Sequence, residues 1–235
     1  WPPVVVGLND SALNSSPESY RTFRPEYLRR ALEDLDGGTI REGNAGVGRG
    51  LCAFGLKGGV GTSSRVLPHR GASFQVGALV TANAGESGDL CVGRYPLAAT
   101  VDITDPLPNR PRTFAAVVAT DAPLIPLQAR QLAFRATSGL YRVGLADART
   151  EEGITLAFSS VPAEPIGAAG DHQQVHSVAD DLLVELAVAA ADCCEEAVVN
   201  SLLAAAPVAR NGVQLLALES EGWPPHVERF QREAR

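Results

Sequence analysis

Apolar residues in this chain come in short runs, separated by glycine, proline and polar clusters, and most runs carry a period. Residues 3–6 read as a short strand, and residues 9–19, rich in Asn, Asp and Ser, read as a loop. Between Pro25 and Leu35, Tyr27, Leu28, Ala31 and Leu32 form an apolar stripe. Pro25 stands in the first turn and Gly37-Gly38 follow, so a helix is predicted. Residues 72–82 (ASFQVGALVTA) predict a strand. Residues 114–119 (FAAVVA) are apolar without a break, which fits a buried strand better than a half-exposed one. Residues 127–143 are helical in pattern and residues 154–158 form another short strand. Residues 177–206 predict a long helix, with Ser177 as N-cap and Asp180 and Asp181 in the first turn, where the dipole favours acids. It is apolar around most of its circumference, as a helix buried between layers would be. Residues 212–218 read as a last strand. Strands and helices interleave, so the class is α/β. Residues 102–112, with Pro106, Pro108 and Pro111, read as an exposed, stiff connector.

Composition narrows the function. The 235 residues are 45% hydrophobic and 20% charged, enough for one large domain or two small ones. No apolar run reaches the roughly 18 residues that span a membrane. The most apolar stretch, 182–191, is interrupted by Glu185 and followed by Asp192. Trp1-Pro2-Pro3 has no basic segment of the signal-peptide kind. A net charge of −7 without a basic patch argues against nucleic acid. The four cysteines fit no zinc spacing and read as buried thiols of a reducing, cytoplasmic compartment. His172 and His176 are four apart, but they sit in a Gly/Asp/Gln-rich stretch and read as exposed and idle; no metal and no cofactor are expected. The chain holds no methionine, so Trp1 is expected to follow a segment outside this sequence.

The glycine-dense stretch 43–61 invites two readings that its details refuse. Gly46-Val47-Gly48-Arg49-Gly50 lacks the preceding strand, following helix and later acid of a dinucleotide fingerprint. Residues 57–62 (KGGVGT) lack the Gly-Lys-Ser/Thr of a phosphate loop, whose lysine reaches the β- and γ-phosphates.

Taken whole, GNAGVGRGLCAFGLKGGVGTSSR (43–65) resembles the signature of the L-aminopeptidase/D-Ala-esterase family, which also holds β-peptidyl aminopeptidases and a pantetheine-hydrolysing branch. Other segments follow in family order: the early loop from Pro3 to Asn14, FQVGALVTANAG (74–85), TFAAVVATDAPLIP (113–126), residues 133–158 and EEAVVNSLLAA (195–205). The resemblance implies a four-layer αββα sandwich of the self-cleaving N-terminal-nucleophile hydrolase type, here lacking the family's N-terminal part. It implies a cut at Arg112-Thr113, with residues 1–112 ending the first subunit and 113–235 forming the second, together one structural domain. Thr113 becomes the nucleophile, Asn83 the oxyanion-holding amide, and Thr150 and Glu152 the pair that positions nucleophile and amine. Asn9 takes the place of the family's early-loop tyrosine, and Arg112 that of the usual Gly or Asn before the cut. The implied partners are a small peptide or amide substrate and further copies of the chain, as a tetramer of processed heterodimers.

The chemistry accounts for these residue types. A threonine hydroxyl is a weak nucleophile that needs a base. An α-amine titrates at about 7.7–8.0, so an exposed N-terminal Thr113 would carry its own. Self-cleavage creates that amine, and the same hydroxyl can drive it by attacking the Arg112 carbonyl. The β-branch restricts the hydroxyl to few orientations. Read without the resemblance, Thr113 opens a strand, Asn83 ends one, Glu151 and Glu152 form a solvated turn, and Asn200 is a buried amide serving a backbone group. The departures at Asn9, Arg112 and 151–153 favour an alternative: a catalytically inactive or incomplete relative with a structural or binding role.

Overall fold

The computed structural model describes residues 4–14, 24–35, 37–99, 101–161 and 176–218. A four-stranded mixed sheet stands at its centre, in the order Gly59–His69 (β1), Ala72–Asn83 (β2), Thr113–Thr120 (β3) and Glu152–Ser159 (β4). β1 and β2 form a long hairpin whose turn, Arg70-Gly71, has φ of 49° and 85°. Two successive positive φ values are what a two-residue hairpin turn needs to match strand twist. β2 and β3 are antiparallel, and β3 and β4 are parallel. The parallel pair requires a crossover, which the helix Pro126–Val143 supplies.

Three α-helices are present among the described residues: Pro25–Glu33 (α1), Pro126–Val143 (α2) and Asp180–Leu203 (α3). α2 and α3 cover one face of the sheet. Val76, Ala78, Val80, Phe114, Ala116 and Val118 point into that layer and meet Leu132, Leu140, Leu186 and Ala197. Each large aliphatic side chain buried this way contributes about 1.5–3 kcal/mol. On the other face Ala115, Val117, Ile154 and Leu156 are half-buried, and Val66 and Phe158 are exposed.

The glycine-dense stretch holds a strand that its composition concealed. β1 starts at Gly59 and carries Gly61. A Cβ on Gly61 would lie 1.9 Å from the Ala197 carbonyl oxygen, so glycine lets the strand press against α3. Ser63 and Arg65 further along β1 bind the buried Glu196 of α3. Asn200 gives its amide to the Thr62 carbonyl at 2.8 Å and so serves backbone as expected, though it is half-buried rather than buried.

Several expected elements differ. Residues 4–6 form no strand, with Val4 and Val5 exposed; Pro3 lies outside the described residues. α1 exists, but none of its residues is buried, and Tyr27, Leu28 and Leu32 of its apolar stripe are exposed. α3 begins at Asp180 with Ala179 as N-cap, and Ser177 does not cap it. The reason lies in Gln128, which donates to the Val178 carbonyl at 2.7 Å and keeps that buried residue outside the helix. Asp180 and Asp181 still occupy the first turn. The last strand is only Val213–Leu215, paired with Val208–Arg210 around a turn at Asn211-Gly212. No described helix is long and apolar enough to cross a membrane.

Candidate active site

The sheet brings Asn83, Thr113 and Glu152 into one row. Asn83 ends β2, Thr113 opens β3, and the two Cα positions are direct partners. Thr113 also pairs with Glu152 at the start of β4. Residues paired in register share a face. Thr155 hydrogen-bonds Thr137 of α2 at 2.9 Å, which assigns odd-numbered β4 positions to the helix side. Glu152, and with it Thr113 and Asn83, therefore lie on the face away from the helices.

Thr113 and Asn83 are both nearly inaccessible, 3% and 2% exposed. The Asn83 amide donates to the Thr113 hydroxyl at 3.0 Å and to the Asn9 carbonyl at 2.8 Å. Its oxygen accepts the Cys52 N–H at 2.9 Å. Every polar capacity of that amide but one lone pair is used, which leaves no ambiguity about which end is nitrogen. The Asn9 N–H approaches the same hydroxyl at 3.4 Å. Asn9 thus reaches Thr113 through its backbone, while its side chain accepts the Ser11 N–H at 3.1 Å.

Behind Asn83 stands a support that the sequence reading did not single out. Lys57 is fully buried, and its ammonium donates to the carbonyls of Gly48, Leu51 and Gly58 at 2.5, 3.1 and 2.6 Å. The Leu51 carbonyl belongs to the same peptide unit as the Cys52 N–H that orients Asn83. Lys57 therefore clamps the plane on which Asn83 depends. Burial pushes this ammonium down to about 8, still charged at neutral pH, and its three donors meet three acceptors. The sign of such a residue in sequence is a lone lysine inside a glycine run, where carbonyls are unusually accessible.

Arg110 closes the site from the connector. It is 3% exposed, contrary to the expectation of an exposed 102–112 segment. Its guanidinium reaches the carbonyls of Cys52 at 3.3 Å, Gly85 at 2.6 Å and Leu107 at 3.2 Å, and pairs with Asp105. Four acceptors, two of them within the connector itself, make burial of that charge tolerable. Cys52 is not a competing nucleophile, since burial pushes its thiol up to about 11.

Arg112 pairs with Glu86 and donates to the Pro108 carbonyl at 3.0 Å. Its own carbonyl accepts N–H groups from Glu151 at 2.9 Å and Glu152 at 3.4 Å. The Glu152 side chain is exposed. Beside it runs a cleft of about 230 Å³ lined in part by Val5, Val6, Gly7 and Ile154. Thr150 is placed elsewhere: its hydroxyl accepts the Asp147 N–H at 3.1 Å, and it lines a different cleft together with Thr155 and Thr137 on the helix side.

The phosphate-loop and dinucleotide readings find no support. The backbone of 59–62 is engaged in the β1–β2 ladder, Lys57 is spent on carbonyls, and Thr62 binds the Glu42 carboxylate through N–H and hydroxyl at 2.6 and 2.7 Å. His176 is exposed, and His172 lies outside the described residues.

Comparison with known proteins bears on the family and the fold. The family model of peptidase family S58 matches residues 1–214. A beta-peptidyl aminopeptidase of Sphingosinicella microcystinivorans is 34% identical over 228 residues, covering 87% of this chain and 56% of the relative. The solved beta-aminopeptidase of Burkholderia sp. superposes with a TM-score of 0.78 at 33% identity, covering 93% of this chain and 64% of that one. The L-aminopeptidase D-Ala-esterase/amidase of Ochrobactrum anthropi, described as a prototype of the serine aminopeptidases and a variant of the Ntn hydrolase fold, gives a TM-score of 0.79 at 32% identity over 95% of this chain and 61% of that one. The chain spans 56% of the curated relative's length. These matches, with the mixed sheet and its helix layer, make the architecture an α/β sandwich of the Ntn-hydrolase type, and the chain belongs to peptidase family S58.

Proposed function

We propose that this chain is a self-processing amide hydrolase, an aminopeptidase that cuts itself at Arg112-Thr113 and uses the freed Thr113 as nucleophile. The observation that carries the reading is the 3.0 Å contact from the Asn83 amide to the Thr113 hydroxyl at the mouth of the sheet. A strand-opening threonine with no function has no need of a buried amide held in place by a clamped peptide unit. After the cut, residues 1–112 and 113–235 remain one structural domain. The Thr113 amine, at about 7.7–8.0, removes the hydroxyl proton directly or through one water. The acyl group of a peptide or small amide transfers to Oγ, and water releases it. Asn83 then donates to the developing oxyanion, an interaction typically worth about 2.7–4 kcal/mol.

Glu152, in register with Thr113, is assigned to the ammonium form of that amine. Its backbone pairing and exposure on the same face support the role. Thr150 is assigned to the turn that leads into β4. Substrate enters the cleft of Val5, Val6 and Gly7, a small entrance that mixes apolar walls with the Glu152 carboxylate and suits a short peptide or amide. A homo-oligomer in a reducing cytoplasm fits the half-exposed apolar sheet face and the four free thiols. The second reading, an inactive relative, is favoured by one observation: Asn9 brings only a backbone N–H to Thr113 where the family pattern has a tyrosine. The two separate in one assay. Amide hydrolysis that disappears in Thr113→Ala supports the enzyme; no turnover of α- or β-aminoacyl amides by a fully cut chain supports the inactive relative.

A further inference from the structure

If Thr113 attacks the peptide bond before it, negative charge develops on the Arg112 carbonyl oxygen. In the uncut chain the two Asn83 N–H groups are directed at the Thr113 hydroxyl and the Asn9 carbonyl, not at the Arg112 oxygen. The Arg112 oxygen has donors of its own: the Glu152 N–H at 3.4 Å and the Glu151 N–H at 2.9 Å. The first is the opening rung of the parallel β3–β4 ladder. The second is additional, since Glu151 precedes β4, and it is the shorter of the two. Glu151 is aimed there by a turn, in which the Thr150 N–H binds the Asp147 carbonyl at 3.2 Å and the Asp147 N–H binds the Thr150 hydroxyl at 3.1 Å.

The segment that carries this carbonyl is held as well. The Arg112 guanidinium pairs with Glu86, and Arg110 anchors the segment to Gly85 and Cys52. A carbonyl fixed through its own segment and facing two fixed N–H dipoles needs little reorganisation when charge appears.

We infer that the backbone N–H groups of Glu151 and Glu152 form the oxyanion site of self-cleavage, separate from the Asn83 amide that serves substrate turnover. The inference rests on the self-cleavage reading above. In the step itself, the Thr113 Oγ–C bond to Arg112 forms as the carbonyl electron pair moves to oxygen. The hydroxyl proton passes to the Thr113 nitrogen, and the C–N bond then breaks to give an ester and a free amine. Water adds to the ester, Oγ leaves with a proton, and Arg112 ends as a carboxylate held by the same two N–H groups.

The test removes one donor without touching a side chain. Replacing the Thr150–Glu151 amide by an ester deletes the Glu151 N–H. Cleavage at Arg112-Thr113 is followed by intact mass, alongside thermal melting, with Glu151→Ala as the control that retains the N–H and Glu151→Pro as a second route to the same deletion. The expected result is a slowing of about a hundredfold or more in the ester and in Glu151→Pro, with Glu151→Ala cutting as wild type. If the ester, melting as wild type, cuts within about threefold of it, the inference is overturned and self-cleavage stands. A wild-type chain that never cuts overturns both.

Discussion

Asn83 holds the hydroxyl of Thr113 across adjacent strands, 3.0 Å from amide nitrogen to oxygen, while its own oxygen is held by the Cys52 N–H. Neither contact is local in sequence. Asn83 closes β2 and Thr113 opens β3, so the pair exists only because the antiparallel register sets the two Cα positions opposite one another. Replacing Asn83 by Ala is expected to lower amide turnover by about a hundredfold to a thousandfold, the usual loss for one oxyanion donor. Steady-state kinetics on an aminoacyl amide checks it. The fall should lie in kcat rather than KM; a variant with only a raised KM would move Asn83 from catalysis to binding.

Lys57 carries the second prediction. Lys57→Met keeps the apolar stem and removes the donors, leaving the buried Gly48 and Gly58 carbonyls short of a partner. An orphaned buried group costs about 1–3 kcal/mol, so chemical denaturation should show a loss of roughly that size or somewhat more. Self-processing should slow with it, because the Leu51–Cys52 peptide plane loses its clamp. Unchanged stability would mean that the ammonium is dispensable.

The third concerns alkaline pH. Burial pushes Cys52 and Cys193 up to about 11 and Cys194 to about 12, against 9.0 in the unfolded chain. Below 9.0 the thiols are protonated in both states; above it the unfolded chain ionises first, so stability falls as pH rises toward 11 or 12. Lys57 acts with the opposite sign between about 8 and 10.5, so the thiol effect is clearest above that window. Denaturation midpoints should drop steeply there and drop less in a Cys193→Ala/Cys194→Ala chain. A thiol reagent should meet Cys91 first, the one cysteine that is not buried.

The fourth is steric. Gly61→Ala places a methyl 1.9 Å from the Ala197 carbonyl, a contact with backbone that no rotamer relieves. Overpacking of this kind costs about 1–3 kcal/mol, and thermal melting of the variant against wild type measures it. An unchanged melting temperature would show that β1 and α3 can separate freely.

Much of the fold was legible where one residue type repeats with one period. Residues 114–119 were legible as a strand and 127–143 as a helix, though the strand is fully buried on one face only, with Ala115 and Val117 half-buried on the other. β1 was not legible, since Gly59 and Gly61 read as loop until α3 is seen lying against them. Thr113 and Asn83 were singled out through the family resemblance alone, and their separation of 30 residues says nothing of register. Arg110 and Lys57 were hidden for another reason. Their partners are almost all backbone carbonyls, which have no letter in a sequence. Ser177 has the chemistry of an N-cap, but Gln128 from a distant helix fixes Val178 outside the turn.

On the self-cleavage reading, Thr113 becomes a chain terminus by the protein's own chemistry. Intact mass of the purified chain, with N-terminal sequencing, measures this directly, and Thr113→Ala is the parallel control. The expected result is two fragments, 1–112 and 113–235, the second beginning Thr-Phe-Ala-Ala, with the Thr113→Ala chain uncut. A single uncut mass for the wild-type chain after long incubation would contradict it and return the protein to the inactive-relative reading.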